Sequence, residues 1–378
     1  MRNILFGLSV TLAVLVSFGC EGRGEKAEVV PEEKEQVEPE EKAQEKSGEK
    51  IKIGLSISDF QTERWAVERD ILTKLLEEKD FEVIAQGANN DSKLQNDQIE
   101  NMVTQGAKAI LIVAVDGASS AVAVENAAKS DVPCLAYVRL IKTPKLACYI
   151  SFNNIEVGRQ QALGVLKVKD SGNFVLLAGS PTDNNAVLFR NGQMEILQPY
   201  IDKGQIKVVA DQWVDRWERE VALKKMENIL TATKNKVDAV VASNDGTALG
   251  ALQAMKAQKL AGKVPISGQD ATGPGCRSIV DGELTMTVLK DVRKLAPLAV
   301  DILTKLATGE KIEGLKDHTL AELALDKNLK GSVPCKFLDV VQVDKNNIYD
   351  IVVKSGFQKW EEVYAGMPEA DRPPKPSI

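Results

Sequence analysis

The run Val237-Asp-Ala-Val-Val-Ala-Ser-Asn-Asp-Gly246, continued by Thr247-Ala-Leu-Gly-Ala-Leu-Gln-Ala-Met255 and then Val264-Pro-Ile-Ser-Gly-Gln-Asp270, decides the fold. An apolar run ends in short polar residues. A helical pattern follows, with Leu249, Leu252, Ala254 and Met255 on one face, and a second apolar run ends in Gln269-Asp270. Strand, loop, helix and strand in that order predict two parallel strands of an α/β sheet. Ligands of such sheets sit beyond the carboxyl ends of the strands. Asn244, Asp245, Gln269 and Asp270 stand there, with several hydrogen-bonding atoms each and little rotamer entropy to lose. Asn and Asp also cap helices and shape turns. Asp245 is assigned to that structural role, and Asn244 and Asp270 to ligand contact. Groups of this kind suit a polyhydroxylated small molecule.

Outward from this stretch the same alternation repeats. Strands are expected at IKIGLSIS from Ile51, FEVIAQGA, AKAILIVAV, VPCLAYV and CYISFNN, with amphipathic helices between them. A second series follows with NFVLLAGSP, IKVVADQWV and the opening stretch. Two runs of βα units predict two doubly wound, Rossmann-like α/β lobes. The segment from Leu284 through a helix ending near Thr308 reads as a return to the first lobe. The expected division is 51–152 with 290–337, and 153–289 with 338–364. The stretch 365–378, ending RPPKPSI, is expected to be disordered.

The chain has 378 residues, which is too long for one ordinary core. Its net charge of −6 argues against nucleic acid as a partner. Arg2 followed by an apolar run from Ile4 to Phe18 reads as a signal segment too short to span a bilayer. It ends in Ser17-Phe-Gly-Cys20, which is similar to a bacterial lipoprotein processing site, although Ser17 stands where a leucine is usual. Cys20 is therefore the expected lipidation site and membrane anchor. The Glu- and Lys-rich stretch 21–50 buries too little to fold and reads as a solvated tether, which puts the folded part outside the cytoplasm.

Several motifs then become recognisable in order: Glu63-Arg-Trp65, Ile150-Ser-Phe-Asn-Asn154, GSPTDNNA (179–186), GQM (192–194), QWVDRW (212–217), VVASNDGTALGALQAM (240–255) and ISGQDA (266–271). Together they resemble the xylose-binding branch of the type I (ribose/galactose-type) periplasmic substrate-binding proteins of sugar ABC transporters. The similarity runs from about Ile51 to about Lys359. It implies two lobes joined by a three-segment hinge, closing on one monosaccharide that is passed to a transporter permease. It also implies ligand contacts from Arg64, Trp65, Arg139, Asn185, Trp217, Asn244, Asp270 and Lys290.

One position departs from the pattern. Tyr137-Val138-Arg139 stands where the family carries Tyr-Asp-Arg, so a carboxylate that would grip a hydroxyl is gone, and discrimination between xylose and other aldoses is expected to change. Arg64, Arg139 and Lys290 only donate, and Asp59 is the candidate to balance their charge beside Asp270. Trp65 and Trp217 are expected to cover the C–H faces of a sugar, with Trp213 in the core.

There is one histidine, no GxxxxGK[ST] phosphate loop and no nucleophile–base pair, so an enzyme, a cofactor and a metal are not expected. An aldose-modifying enzyme is the disfavoured alternative, and a sugar-sensing module feeding a chemoreceptor or kinase has the same binding physics. Cys134 and Cys148 open two neighbouring strands and are compatible with a disulfide or with two buried thiols.

Overall fold

The computed structural model describes residues 50–377. The expected signal segment, Cys20 and almost all of the tether lie outside the described residues.

The first series runs β1 (Lys52–Ile57), α1 (Glu63–Glu77), β2 (Glu82–Gly87), α2 (Ser92–Thr104), β3 (Ala107–Ile112), α3 (Ser120–Lys129), β4 (Cys134–Tyr137) and β5 (Cys148–Phe152). The second runs α4 (Asn154–Leu166), β6 (Gly172–Ala178), α5 (Asn184–Asp202), β7 (Ile206–Trp213), α6 (Arg219–Thr233), β8 (Ala239–Ala242), α7 (Asp245–Ala257), α8 (Gly273–Val280) and β9 (Met286–Leu289). The chain then continues through α9 (Val292–Thr308), β10 (Lys316–Thr319), α10 (Leu320–Ala324), β11 (Ser332–Leu338), β12 (Val341–Asp344) and α11 (Trp360–Val363).

Among the described residues the first sheet has the order β10-β11-β5-β4-β3-β1-β2, parallel except for β10. The second has β7-β6-β8, all parallel, with an antiparallel β9–β12 pair beyond it. The two sheets are linked by three crossovers: β5 to α4, β9 to α9 and β11 to β12. Strand alternation sends side chains to two faces. On β3, Ala109 and Leu111 join one apolar cluster while Ile110 and Ile112 join another. Helix α9 packs into the first of these through Leu295, Ala299 and Leu303.

The segment Val264–Gly268 was expected to be a strand, but it is bridged only singly, at Val240–Ile266 and Ser267–Met286. Pro265 has no N–H to donate. Side chains replace ladder bonds as well. Ser267 Oγ accepts from Ala242 N and donates to Ala242 O, and Thr285 Oγ1 accepts from Ile266 N. Even so, Gly268 N donates to Met286 O and Asp270 N to Val288 O, so the segment still connects β8 to β9.

The tail departs from the expected disorder. Tyr349 Oη donates to Pro374 O at 2.8 Å and Trp360 Nε1 to Pro373 O at 2.9 Å, while the Arg372 guanidinium lies 5.5 Å from the Trp360 ring centroid. Pro373 and Pro374 lie outside the strands, so their carbonyls are open to the two aromatic donors.

Cys134 and Cys148 are both free and buried. Leu135 is opposite Cys148 in the β4–β5 register and shares its apolar cluster, whereas Cys134 faces the cluster on the other side of the sheet. Side chains on opposite faces of a sheet cannot form a disulfide.

Candidate functional site

The site is assembled at the carboxyl ends of strands from both sheets. Helix α1 begins just after β1, and its buried stripe is Trp65, Glu68, Leu72 and Leu76. A glutamate in an apolar stripe needs a partner. Glu68 has Arg64 one turn earlier, whose Nε donates to it. Arg64 Nη1 reaches across to Asp270 Oδ1 at 2.8 Å. Its guanidinium also lies 5.0 Å from the Trp65 ring centroid, so one side chain joins a carboxylate from each half of the molecule to an aromatic face.

After β4, Arg139 Nε lies 2.9 Å from Asp183 Oδ2 and Nη1 donates to Ala114 O. Asp183 also caps α5, accepting from Asn185 N, and receives Trp217 Nε1 at 3.2 Å. Trp217 and the preceding Arg216 have left-handed backbones, with φ of 62° and 52°. The Trp217 ring lies flush on Gly179, where a Cβ would fall 1.9 Å from it. Glycine is required there by close approach.

A hydrogen-bond relay spans the crossovers. Lys290 Nζ donates to Asn154 Oδ1 at 3.1 Å, Asn154 Nδ2 donates to Asn185 Oδ1 at 2.8 Å, and Asn185 Nδ2 donates to Val138 O at 3.1 Å. Lys290 is buried 4.6 Å from the Phe189 ring centroid. Burial first, and then the neighbouring Arg64 cation, push its ammonium down to about 7.

These groups surround one cavity. Its inner part, of about 30 Å³, is lined by all eight residues implied by the resemblance: Arg64, Trp65, Arg139, Asn185, Trp217, Asn244, Asp270 and Lys290. It shares Arg64, Trp217, Asn244 and Asp270 with an outer cleft of about 390 Å³. Arg64 Nη2, Trp65 Nε1 and Gln269 Oε1 are buried without partners among the described residues. Buried polar atoms of this kind call for a polar guest.

Two sequence assignments change. Asp59 does not balance the cations. It is buried at the rim of the outer cleft, where it accepts from Thr62 N at 2.7 Å and Ser58 Oγ at 3.1 Å and shapes the turn into α1. The balancing carboxylates are Glu68 and Asp183, which sequence reasoning passed over. Asp183 was legible as the cap residue directly before Asn184-Asn185, and Glu68 as the charge in an apolar stripe. Phe189, beside Lys290, was missed as well.

Asn244 takes the helix-capping role as well, while Asp245 keeps the structural role it was assigned, in another form. Asn244 caps α7, its Oδ1 accepting from Thr247 N, and lines the cavity too. Asp245 is a buried peg that accepts from Thr272 N, Thr272 Oγ1 and Thr287 Oγ1. Burial, then Asp270, push its carboxyl up to about 7.

Two α/β lobes joined by three crossovers, with a polar and aromatic cavity at the facing strand ends, define a type I periplasmic binding protein. The chain belongs to the periplasmic binding protein family, whose domain model matches residues 53–311. It is similar to the D-xylose-binding periplasmic protein of Haemophilus influenzae, at 48% identity over 83% of this chain and 92% of that one. The D-xylose-binding periplasmic protein of Escherichia coli is 46% identical over 83% of this chain and 93% of its own. Among solved structures, an ABC transporter solute-binding protein from Clostridium phytofermentans with bound β-D-glucose superposes with a TM-score of 0.74. It is 28% identical, over 82% of this chain and 99% of that one.

Proposed function

We infer that this protein captures a monosaccharide, xylose or a related aldose, outside the cytoplasm and delivers it to the permease of a sugar ABC transporter. The observation that carries this reading is the cavity itself, where donors, acceptors and two indole rings from both halves converge on one small volume. A pyranose has an edge of hydroxyls and two C–H faces. Arg64, Arg139 and Lys290 donate to its hydroxyls, Asp183 and Asp270 accept, and Asn185 and Asn244 do both. Trp65 and Trp217 cover the faces. Groups from both halves touch the sugar together only when the lobes are closed, so the ligand favours closure. Acyl chains on Cys20 hold the folded part to the membrane through the 21–50 tether.

Calorimetry with a panel of pentoses and hexoses tests the reading. One aldose is expected to bind 1:1 with a Kd below about 1 μM, near −8 kcal/mol. Trp65→Ala and Trp217→Ala each weaken binding by about 1 kcal/mol or more and reduce the ligand-induced change in tryptophan emission. Absence of binding by every aldose at millimolar concentration would overturn it.

A further inference from the structure

Among the described residues Val138 is the single aliphatic one lining the inner cavity, which is otherwise polar or aromatic. Its backbone is left-handed, at φ 64°. A β-branched side chain is a true outlier in that region, which Asn, Asp and Gly occupy more readily. Strained residues of this kind persist where the surroundings over-determine them, and they gather at ligand sites. The surroundings here are visible. The Val138 carbonyl accepts from Ser151 Oγ at 2.9 Å, Tyr149 Oη at 3.1 Å and Asn185 Nδ2 at 3.1 Å. Three donors saturate that oxygen, so it has nothing left for a ligand. What Val138 presents to the cavity is therefore an apolar wall. The nearest charges do not alter this, because Arg139 is neutralised by Asp183.

We propose that Val138 determines specificity by facing the C5 substituent of an aldopyranose, so that sugars with carbon on C5 bind at least as tightly as a pentopyranose. A hydroxyl against this wall would lose its partner, whereas a methyl or methylene group meets it without loss. The proposal rests on the sugar-binding reading above.

D-xylose, 6-deoxy-D-glucose and D-glucose share their ring hydroxyls and carry hydrogen, methyl and hydroxymethyl on C5. They are titrated into the full chain and into Val138→Asn and Val138→Gly. Both substitutions fit the left-handed backbone and remove the wall. The original chain is expected to bind at least one of the two C5-substituted sugars as tightly as xylose or more tightly. Each variant is expected to move the ratio about ten-fold toward xylose. If Val138→Asn does not fold, Val138→Gly alone decides. Tighter binding of xylose than of both other sugars by the original chain, or an unchanged ratio in the folded variants, overturns the proposal. If no aldose of the pentose and hexose panel binds, the sugar-binding reading fails first and this proposal with it; if another aldose binds but none of these three does, this proposal alone is overturned.

Discussion

Arg139, just beyond β4 of the first sheet, and Asp183 at the start of α5 form a buried ion pair, Nε to Oδ2 at 2.9 Å, and the same oxygen receives Trp217 Nε1 at 3.2 Å. One carboxylate thus joins the two halves of the molecule, caps a helix and orients an indole that lines the cavity. Asp183→Asn leaves Arg139 buried without its counter-charge, a loss of about 3–5 kcal/mol for a pair of this kind. Chemical denaturation should show a clear drop in stability, and calorimetry at least a ten-fold loss of sugar affinity. Unchanged affinity in a folded variant would remove Asp183 from the site.

Asn184 makes another contact between the halves, away from the inner cavity. Its Nδ2 donates to Leu323 O in α10 at 2.7 Å, and the residue is buried. Asn184→Ala removes the donor and leaves a buried carbonyl unpaired, at about 1–3 kcal/mol. The expected result is faster sugar release in stopped-flow tryptophan emission, by about five-fold or more, with unchanged circular dichroism. An unaltered release rate would mean that this bond is not part of closure.

Lys290 gives the ligand-free protein a pH dependence of definite sign. Its ammonium is pushed from 10.5 down to about 7 by burial and then by Arg64. Below about pH 7 both folded and unfolded chains carry the proton, and the folded state bears the full cost of a buried charge. Between about 7 and 10.5 the unfolded chain binds a proton that the folded chain does not, so this group's contribution to stability rises with pH. Lys290→Met lacks that slope and is more stable at pH 7, yet binds sugar more weakly. Parallel melting-temperature curves for the two proteins from pH 7 to 10 would contradict the assignment.

The anchor is tested by fractionation. Cys20→Ala is expected to move the protein from the membrane to the soluble extracytoplasmic fraction, because a signal segment without an acyl chain leaves no hold on the bilayer. Full membrane retention of the variant would exclude lipidation at Cys20.

The family resemblance named Arg64 and Lys290; sequence pattern alone determined the alternating βα units, the two series of strands and the place of Asn244 and Asp270 beyond strand ends. Those features depend on hydrophobic periodicity and on turn residues a few positions apart, which neighbouring residues along the chain encode by themselves. Tertiary structure decided who pairs with whom. Arg64 meets Asp270 from 206 residues away, and Asp183 rather than Asp59 answers Arg139. It also put Cys134 and Cys148 on opposite faces of one sheet, reduced Val264–Gly268 to single bridges and docked the tail on Tyr349 and Trp360. Each of these outcomes depends on distances and directions between segments far apart in sequence. An ion pair or a buried hydrogen bond is decided over a few ångströms, and local pattern carries no information on that scale about a partner two hundred residues away.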